Sequence, residues 1–159
     1  EGRGWLAVMA DNDSQAGCDR EDGIYAYRLQ EQVGHILRKA HQRHVAIFSS
    51  QISELTPPQF AALAKLGDLG ECSQNQLGQL VAMDAATVKG VVDRLKLRGL
   101  VAVAEDNEDR RRIVVSLTPV GRDMLARLVP VASKITSDTL QPLTKRESQA
   151  LLRLLSKIS

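Results

Sequence analysis

Three consecutive arginines, Arg110, Arg111 and Arg112, stand between two apolar stretches of the chain, directly after an acidic run. A guanidinium group binds phosphate oxygens and also suits a narrow DNA minor groove, where the negative potential is enhanced. The apolar stretches at 100–104 and 113–117 are rich in β-branched residues, so they predict a β-hairpin with the arginines at its tip. A charged hairpin tip alone is most often a solvated turn, so its meaning depends on the neighbouring elements.

The acidic residues near this tip need an explanation of their own, because DNA would repel them unless they are paired or turned away. Asp109 is close enough in sequence to orient one of the arginines. It could equally brace the hairpin against Arg94 or Arg98 on the preceding helix. We therefore predict that Asp109 and Arg94 act as a strut for the hairpin.

The helix before the hairpin offers a second set of residues suited to nucleic-acid contacts. Its apolar positions are spaced i, i+3, i+4 and i+7, so that this face packs inward. The inward positions are Val88, Val91, Val92 and Leu95. The opposite face has small side chains, one hydroxyl and one cation, and a helix of this kind fits the major groove of DNA. Its residues are Ala85, Ala86, Thr87, Lys89 and Gly90.

A short helix lies directly before this one and opens with Ser73 and Gln74. The free N–H groups and the positive dipole end of a helix N-terminus favour a phosphate group. We therefore predict that Ser73 and Gln74 contact the DNA backbone. Two short helices joined by a tight turn, followed by a hairpin with a basic tip, together indicate a winged helix-turn-helix. This combination is a far more specific signal than either feature alone.

The remaining elements follow from helical periodicity and from N-cap residues. A first helix is predicted from Ile24 to about Ser49, and a second from Thr56 to about Leu66, ended by Gly67 and Gly70. After the hairpin come a helix to about Asp138, with Pro130 inside it, and a last helix that reaches Ile158. The predicted N-caps are Thr56, Ser73, Asp84, Thr118 and Thr144.

This order predicts a mainly α fold with a small β-hairpin wing. Residues 1–22 are expected to be a flexible N-terminal extension, in part a remnant of expression, with Met9 as a candidate natural start. Residues 23–55 are expected to be a dimerisation helix and residues 56–118 the winged helix-turn-helix. Residues 119–159 are expected to add further dimerisation helices, because their leucines need a second chain for burial.

The composition excludes several other classes of protein. The net charge is +2 and aromatic residues make up 3%, which argues against an aromatic platform for single-stranded nucleic acid. Two cysteines, Cys18 and Cys72, are too few for a disulfide scaffold or a zinc site. We find no nucleophile–base pair, phosphate loop, metal spacing or membrane-length apolar run. The expectation is a cytoplasmic protein that is not an enzyme and needs no metal or cofactor.

The chain resembles the MarR (multiple antibiotic resistance regulator) group of bacterial winged-helix repressors. The resemblance runs from about Val33 to Ile158 and rests on "LTPPQF", "SQNQLGQLVAMDAATVKGVVDRLKLRGLV", "EDNEDRRR" and "VSLTPVGRDML". It implies a homodimer, formed by the first and last helices, that binds palindromic operators in double-stranded DNA. It also implies a pocket between the dimerisation and DNA-binding parts, where a small aromatic carboxylate or phenolic anion causes release.

Three residues of the first helix are candidates for that pocket, namely His41, His44 and Phe48, which are close to one another by helical spacing. The imidazoles could donate hydrogen bonds to a bound carboxylate, or they could be ordinary interface histidines. A zinc site is not expected, because no third ligand has suitable spacing.

Two alternatives keep the fold but change the function. Cys18 could sense oxidants, since the resemblance extends to redox-sensing members that use an N-terminal cysteine, and Arg20 is nearby. The domain could also be a protein-interaction module without a DNA role, but loss of the basic wing tip would mark that class, and the tip is present here.

Overall fold

The computed structural model describes residues 27–105 and 113–159. The chain divides into a short N-terminal unit that ends at Ile36 and a larger unit, Leu37–Ser159. The elements are a 3-10 turn (Leu29–Glu31), α1 (Val33–Gln51), α2 (Pro57–Leu69), β1 (Glu71–Ser73), α3 (Gln74–Leu80), α4 (Ala85–Leu97), β2 (Val101–Glu105), β3 (Ile113–Leu117), α5 (Pro119–Leu140) and α6 (Lys145–Leu155). The predicted fold class, mainly α with a winged helix-turn-helix, is confirmed.

Each of the five predicted N-caps is confirmed, because each side chain accepts a hydrogen bond from a backbone N–H three residues later. Thr56 and Thr144 form full capping boxes with Gln59 and Glu147. A cap satisfies backbone donors that have no partner inside the helix, so it fixes where the helix begins. The local sequence thus sets the starts of α2 to α6.

Ile24, the predicted start of the first helix, lies outside the described residues, but residues 27–32 do not form the α-helix that was predicted to run through them. Before α1 the backbone forms a 3-10 turn, and Gln32 is extended, with φ −80° and ψ 130°. Local bonds hold this turn: Arg28 pairs with Glu31 at 3.3 Å, and the Gln32 amide donates to the Arg28 carbonyl. Periodicity identifies the apolar face of a helix but does not identify its first residue.

The predicted end of α2 near Leu66 is also wrong, since the helix continues through Gly67 to Leu69. Gly67 serves close packing here: a side-chain carbon at this position would lie 2.5 Å from the end of Leu125 on α5. Gly70, the second glycine predicted to end this helix, is confirmed as its C-cap: its φ is +81°, a backbone conformation that favours glycine.

The sheet contains a third strand that the sequence analysis missed. β3 lies between β1 and β2 and pairs with both in antiparallel register, so the order is β1-β3-β2. β1 has only three residues, which is too short to show an alternating pattern. Other predicted boundaries differ by one to three residues from the structure. β2 begins at Val101 rather than residue 100, and α5 continues to Leu140 as one helix through Pro130. α6 ends at Leu155, before Ile158.

The core of the larger unit lies between α2, α4, the sheet and the facing side of α5. The four inward positions predicted for α4, Val88, Val91, Val92 and Leu95, are all buried, at 4% exposure or less. By contrast, α1 buries only Phe48, and α6 buries no residue, with Leu152 and Leu154 half exposed. The single chain therefore leaves part of the apolar side of α6 exposed. No helix in the described part of the chain is long and apolar enough to cross a membrane.

Candidate functional site

The helix-turn-helix consists of α3, a tight turn at 81–84, and α4. The turn is closed by a hydrogen bond of 2.8 Å from the Met83 N–H to the Gly78 carbonyl. Ala82 within it has φ +53°, a left-handed conformation that costs an alanine about 1–2 kcal/mol. This geometry presents the first turn of α4 outward, with its buried side held by the core.

The predicted DNA-contacting face of α4 is exposed along its first turn. Ala85, Ala86, Thr87 and Lys89 are all exposed, and Gly90 is half-buried. The two short alanine side chains leave room for close approach to a groove, and Thr87 and Lys89 supply polar groups. Ser73 and Gln74 lie at the start of α3 and are partly exposed. The two predicted sets therefore lie at the N-terminal ends of successive helices, and both are at least partly exposed.

The cap of α4 determines what Thr87 can offer to a base. Asp84 accepts the Thr87 N–H at 2.7 Å through Oδ1 and the Thr87 hydroxyl at 2.9 Å through Oδ2. The backbone and hydroxyl hydrogen bonds from Thr87 lower the pKa of the Asp84 carboxyl, so it is ionised near neutral pH. The hydroxyl hydrogen of Thr87 is committed to Asp84. What remains for DNA is an oxygen acceptor and a methyl group.

Lys89 has a partner on its own helix. Its Nζ lies 2.7 Å from Asp93 Oδ2, one turn later, and its side chain is 67% exposed. An exposed pair of this kind is weak and easily exchanged, so the ammonium group can leave Asp93 for a phosphate or a base edge.

The residues of the wing tip lie outside the described residues. They are Asp109, Arg110, Arg111 and Arg112. The strands that carry them are in place, with Glu105 opposite Ile113 in the β2–β3 register. Arg94 is exposed on α4, and its predicted pairing with Asp109 stays a prediction. Arg98, the alternative partner, donates to the backbone carbonyl of Glu54, and its pairing with Asp109 also stays a prediction. Cys18 and the N-terminal extension also lie outside the described residues.

A cavity of about 790 Å³ adjoins the start of α4. Its walls come from α1, the start of α2, the α3–α4 turn and α5, and they are mainly apolar. His41, His44 and Phe48, which the sequence analysis grouped as a candidate ligand site, all line it. So do Asp84 and Thr87, which the sequence analysis assigned only to the helix cap and to DNA. No local pattern could have shown this, because their neighbourhood with α1 depends on tertiary packing.

Aromatic rings and one histidine shape the α1 side of this cavity. The His44 and Phe48 rings are 6.5 Å apart, and the Phe48 and Phe60 rings meet edge to face at 5.9 Å. The Nδ1 atom of His44 lies 3.1 Å from the hydroxyl oxygen of Thr139 on α5. Asp84 is the only carboxylate among the described lining residues, and they include no lysine or arginine. The site can hold a flat apolar body and offers few polar groups to orient it.

A second cavity, of about 540 Å³, lies between α2, β3 and α5. Arg122 is its only cationic residue among the described lining, and one arm of the guanidinium already donates to the Leu117 carbonyl at 2.8 Å. No residue of α4 lines this cavity, so it lacks a direct route to the DNA-facing helix.

In the described part of the chain no cluster of three or more metal-binding side chains is present. Burial raises the pKa of the Cys72 thiol, which favours the unreactive protonated form.

Comparisons with known proteins agree with this architecture. The model of the MarR family matches residues 55–113. The transcriptional repressor NicR of Pseudomonas putida is 44% identical over 83% of this chain and 85% of its own length. A solved probable transcriptional regulator from Pseudomonas aeruginosa is 50% identical, with a TM-score of 0.79 over 83% of this chain and 100% of that one.

A further solved structure is that of BpsR from Bordetella bronchiseptica, whose DNA binding is regulated by 6-hydroxynicotinic acid. It is 48% identical to this chain, with a TM-score of 0.80 over 83% of this chain and 96% of BpsR. The names of the family and of these relatives are those of transcriptional regulators and not of enzymes. The chain therefore belongs to the MarR family, as a winged-helix transcriptional repressor of that type.

Proposed function

We propose that this repressor binds a palindromic operator as a homodimer and is released from it by a small aromatic carboxylate. The observation that carries the proposal is the shared lining of the larger cavity. His41, His44 and Phe48 on α1 line the same cavity as Asp84 and Thr87 at the start of α4. A ligand held there contacts the helix that faces DNA, so its binding energy can be coupled to operator affinity.

Dimerisation is supported by the apolar side chains that the chain leaves uncovered. Leu152 and Leu154 on α6 are half exposed, and no residue of that helix is buried. A second chain would bury them and would place two copies of α4 about one helical turn of DNA apart, as a palindromic operator requires. The exposed face of α4 would then read base edges in the major groove, with Ser73 and Gln74 on phosphates. Arg110–Arg112 would supply at least one contact in the adjacent minor groove and one to a phosphate.

The chemistry of the cavity supports an aromatic carboxylate as the effector. An apolar slot with ring contacts from Phe48 and Phe60 fits a planar ring, and the imidazoles of His41 and His44 can hydrogen-bond a carboxylate. BpsR offers a specific first ligand to test, because it is 48% identical and 6-hydroxynicotinic acid regulates its DNA binding. We infer that this chain responds to 6-hydroxynicotinate or to an aromatic acid of similar size.

The test is an operator-release titration with purified full-length protein and labelled DNA from upstream of its own gene. We expect 6-hydroxynicotinate to dissociate the complex, and benzoate, which lacks both the hydroxyl group and the ring nitrogen, to do so less well. His44→Ala should keep operator affinity but require more ligand for release. Ser50→Ala on the exposed side of α1 is the matched control and should behave as wild type.

Three results would contradict the proposal. If the wild-type protein does not bind the upstream DNA, it does not repress its own gene from that site. If no aromatic acid in a panel releases the bound DNA, aromatic carboxylates are not the effectors. Normal release from His44→Ala, with unchanged ligand affinity by calorimetry, would place the ligand elsewhere.

A further inference from the structure

The hydrogen bond between His44 and Thr139 fixes which ring nitrogen of His44 carries a hydrogen. The Thr139 hydroxyl donates its only hydrogen to the Ile135 carbonyl on the same helix, at 2.8 Å. The Thr139 oxygen must therefore accept, and His44 Nδ1, at 3.1 Å, must donate. A neutral His44 is thus held as the Nδ1–H form.

This assignment leaves Nε2 as the ring nitrogen available to a ligand. Nε2 has no hydrogen-bond partner among the described residues, and His44 lines the cavity. In a neutral ring protonated at Nδ1, Nε2 carries a lone pair and is an acceptor. A carboxylate is also only an acceptor, so the two cannot form a hydrogen bond unless a proton is added.

The other charged groups near this ring determine where a ligand carboxylate can lie. His41, one turn earlier on α1, lines the same cavity, and Asp84 contributes its only carboxylate within the described residues. On α5, Asp138 precedes Thr139. Its carboxylate accepts a hydrogen bond from the Gln51 amide at 2.7 Å and pairs with Lys134. The backbone carbonyl of Asp138 accepts a hydrogen bond from Arg43 of α1. The Lys134 and Asp138 charges are therefore paired. An anionic ligand is repelled by Asp84 and is drawn to the two imidazoles.

We propose that binding of an aromatic carboxylate is coupled to the uptake of one proton at Nε2 of His44. This inference rests on the proposed function of the cavity. The proton comes from solvent, and no other bond forms or breaks. The resulting imidazolium donates from Nδ1 to Thr139 and from Nε2 to the ligand carboxylate. Histidine is suited to this because its charge changes between about pH 5 and 8.

The experiment is isothermal titration calorimetry of the full-length protein with 6-hydroxynicotinate at about pH 8, where free imidazole is mostly neutral. The titration is repeated in buffers with different ionisation enthalpies, so that the slope gives the number of protons taken up. We expect about one proton per site in the wild type. We also expect affinity to rise by up to about tenfold for each pH unit lowered from pH 9 to 8.

Variants separate His44 from the other groups. His44→Gln should lose the proton uptake, because an amide can donate to a carboxylate without gaining charge. His41→Gln and Asp84→Asn should retain it. Asparagine is a good N-cap, so the latter variant keeps the start of α4 intact.

Thr139→Val gives the sharpest test, because valine matches the shape of threonine but cannot accept a hydrogen bond from Nδ1. The neutral ring is then free to carry its hydrogen on Nε2 and can donate to the carboxylate without a proton from solvent. We expect uptake in Thr139→Val to fall well below one proton while ligand binding persists. A variant that still takes up a full proton would overturn the role given to Thr139.

Failure of this inference is distinguishable from failure of the proposed function. Ligand binding and DNA release by the wild type without proton uptake would overturn the coupling and leave the proposed function standing. Equal proton uptake by wild type and His44→Gln would assign the proton to another group. Absence of any binding or release would overturn the proposed effector class and, with it, this inference.

Discussion

Glu54, in the connection between α1 and α2, and Arg127, on α5, form a two-pronged ion pair. Arg127 Nη1 lies 3.1 Å from Glu54 Oε2, and Nη2 lies 2.9 Å from Oε1. The backbone carbonyl of Glu54 also accepts a hydrogen bond from Arg98, which is the C-cap of α4. One residue thus joins the end of the DNA-facing helix to the long helix α5.

Glu54→Gln should reduce stability in a pH-dependent way. The hydrogen bond from Arg127 lowers the pKa of the Glu54 carboxyl from its ordinary value of 4.5. A carboxyl whose folded pKa is lowered stabilises the fold above the unfolded pKa, and this contribution is lost as pH falls through the folded pKa. The wild type should therefore melt slightly higher than Glu54→Gln near neutral pH, and the two should converge well below pH 4.5.

Thermal unfolding followed by circular dichroism checks this prediction. The difference should be small, because the Glu54 and Arg127 side chains are 40% and 57% exposed and solvent screens the pair. Arg127→Ala is the companion variant, and it should have little further effect when Glu54→Gln is already present. A melting difference that is equal at neutral and acid pH would rule out the ion pair as its source.

Thr87→Val and Lys89→Ala should alter operator preference more than affinity for random DNA. Each good base contact gives about 1–3 kcal/mol of discrimination. Thr87 has an acceptor oxygen and a methyl group to offer, since its hydroxyl hydrogen is held by Asp84. Competition binding with single-base operator variants measures the change. Gln79→Ala, on the exposed side of α3, serves as a control within the same domain. Equal losses on operator and random DNA would make both residues phosphate contacts.

Replacing Arg110 and Arg111 with alanine should weaken binding to all DNA and flatten its salt dependence. Each lost phosphate contact lowers the slope of log affinity against log salt by about 1. The fold should survive, so the melting temperature should stay near that of the wild type. Lys157→Ala, a single exposed cation near the C-terminus, should leave both affinity and slope unchanged. An unchanged slope in the double arginine variant would mean that the wing does not contact DNA.

Gly121→Ala should destabilise the protein by about 1–3 kcal/mol or more, as expected for overpacking. A side-chain carbon at Gly121 would collide with the backbone oxygen of Leu100, which also accepts the Thr118 N–H at 3.1 Å. Denaturant unfolding gives the measurement. Gly90→Ala is the control, because the nearest atom would be 3.9 Å away and alanine gains up to about 1 kcal/mol over glycine in a helix. Equal stability of Gly121→Ala and wild type would show that α5 can move away from Leu100.

Truncation after Leu140, which removes α6, should prevent formation of a stable dimer. The apolar side chains Leu152 and Leu154 are half exposed in the single chain and need a second chain for burial. Light scattering of the truncated protein should show monomers or aggregates in place of a dimer. Its unfolding transition should lie well below that of the full chain. A well-folded truncated chain that still dimerises and binds operator would contradict the role given to α6.

The sequence by itself determined the helices, the two hairpin strands and the starts of α2 to α6. A helix start depends on residues within about four positions, so Thr56, Asp84 and Thr144 could be identified as caps without a structure. The buried face of α4 also followed from spacing, and its four predicted residues are buried. At the start of α1, at the end of α2 and at the short strand β1 such a local signal is missing, and there the predictions were wrong.

Only the tertiary structure decided how the site is assembled. His44 and Thr139 are 95 residues apart, and Glu54 and Arg127 are 73 residues apart, so no periodic pattern relates them. Helical spacing places His44 near Phe48, yet no pattern in the sequence places Asp84 and Thr87 at the same cavity. That neighbourhood depends on how α1, α4 and α5 pack, which is set by the combined shapes of many side chains rather than by any local run of residues.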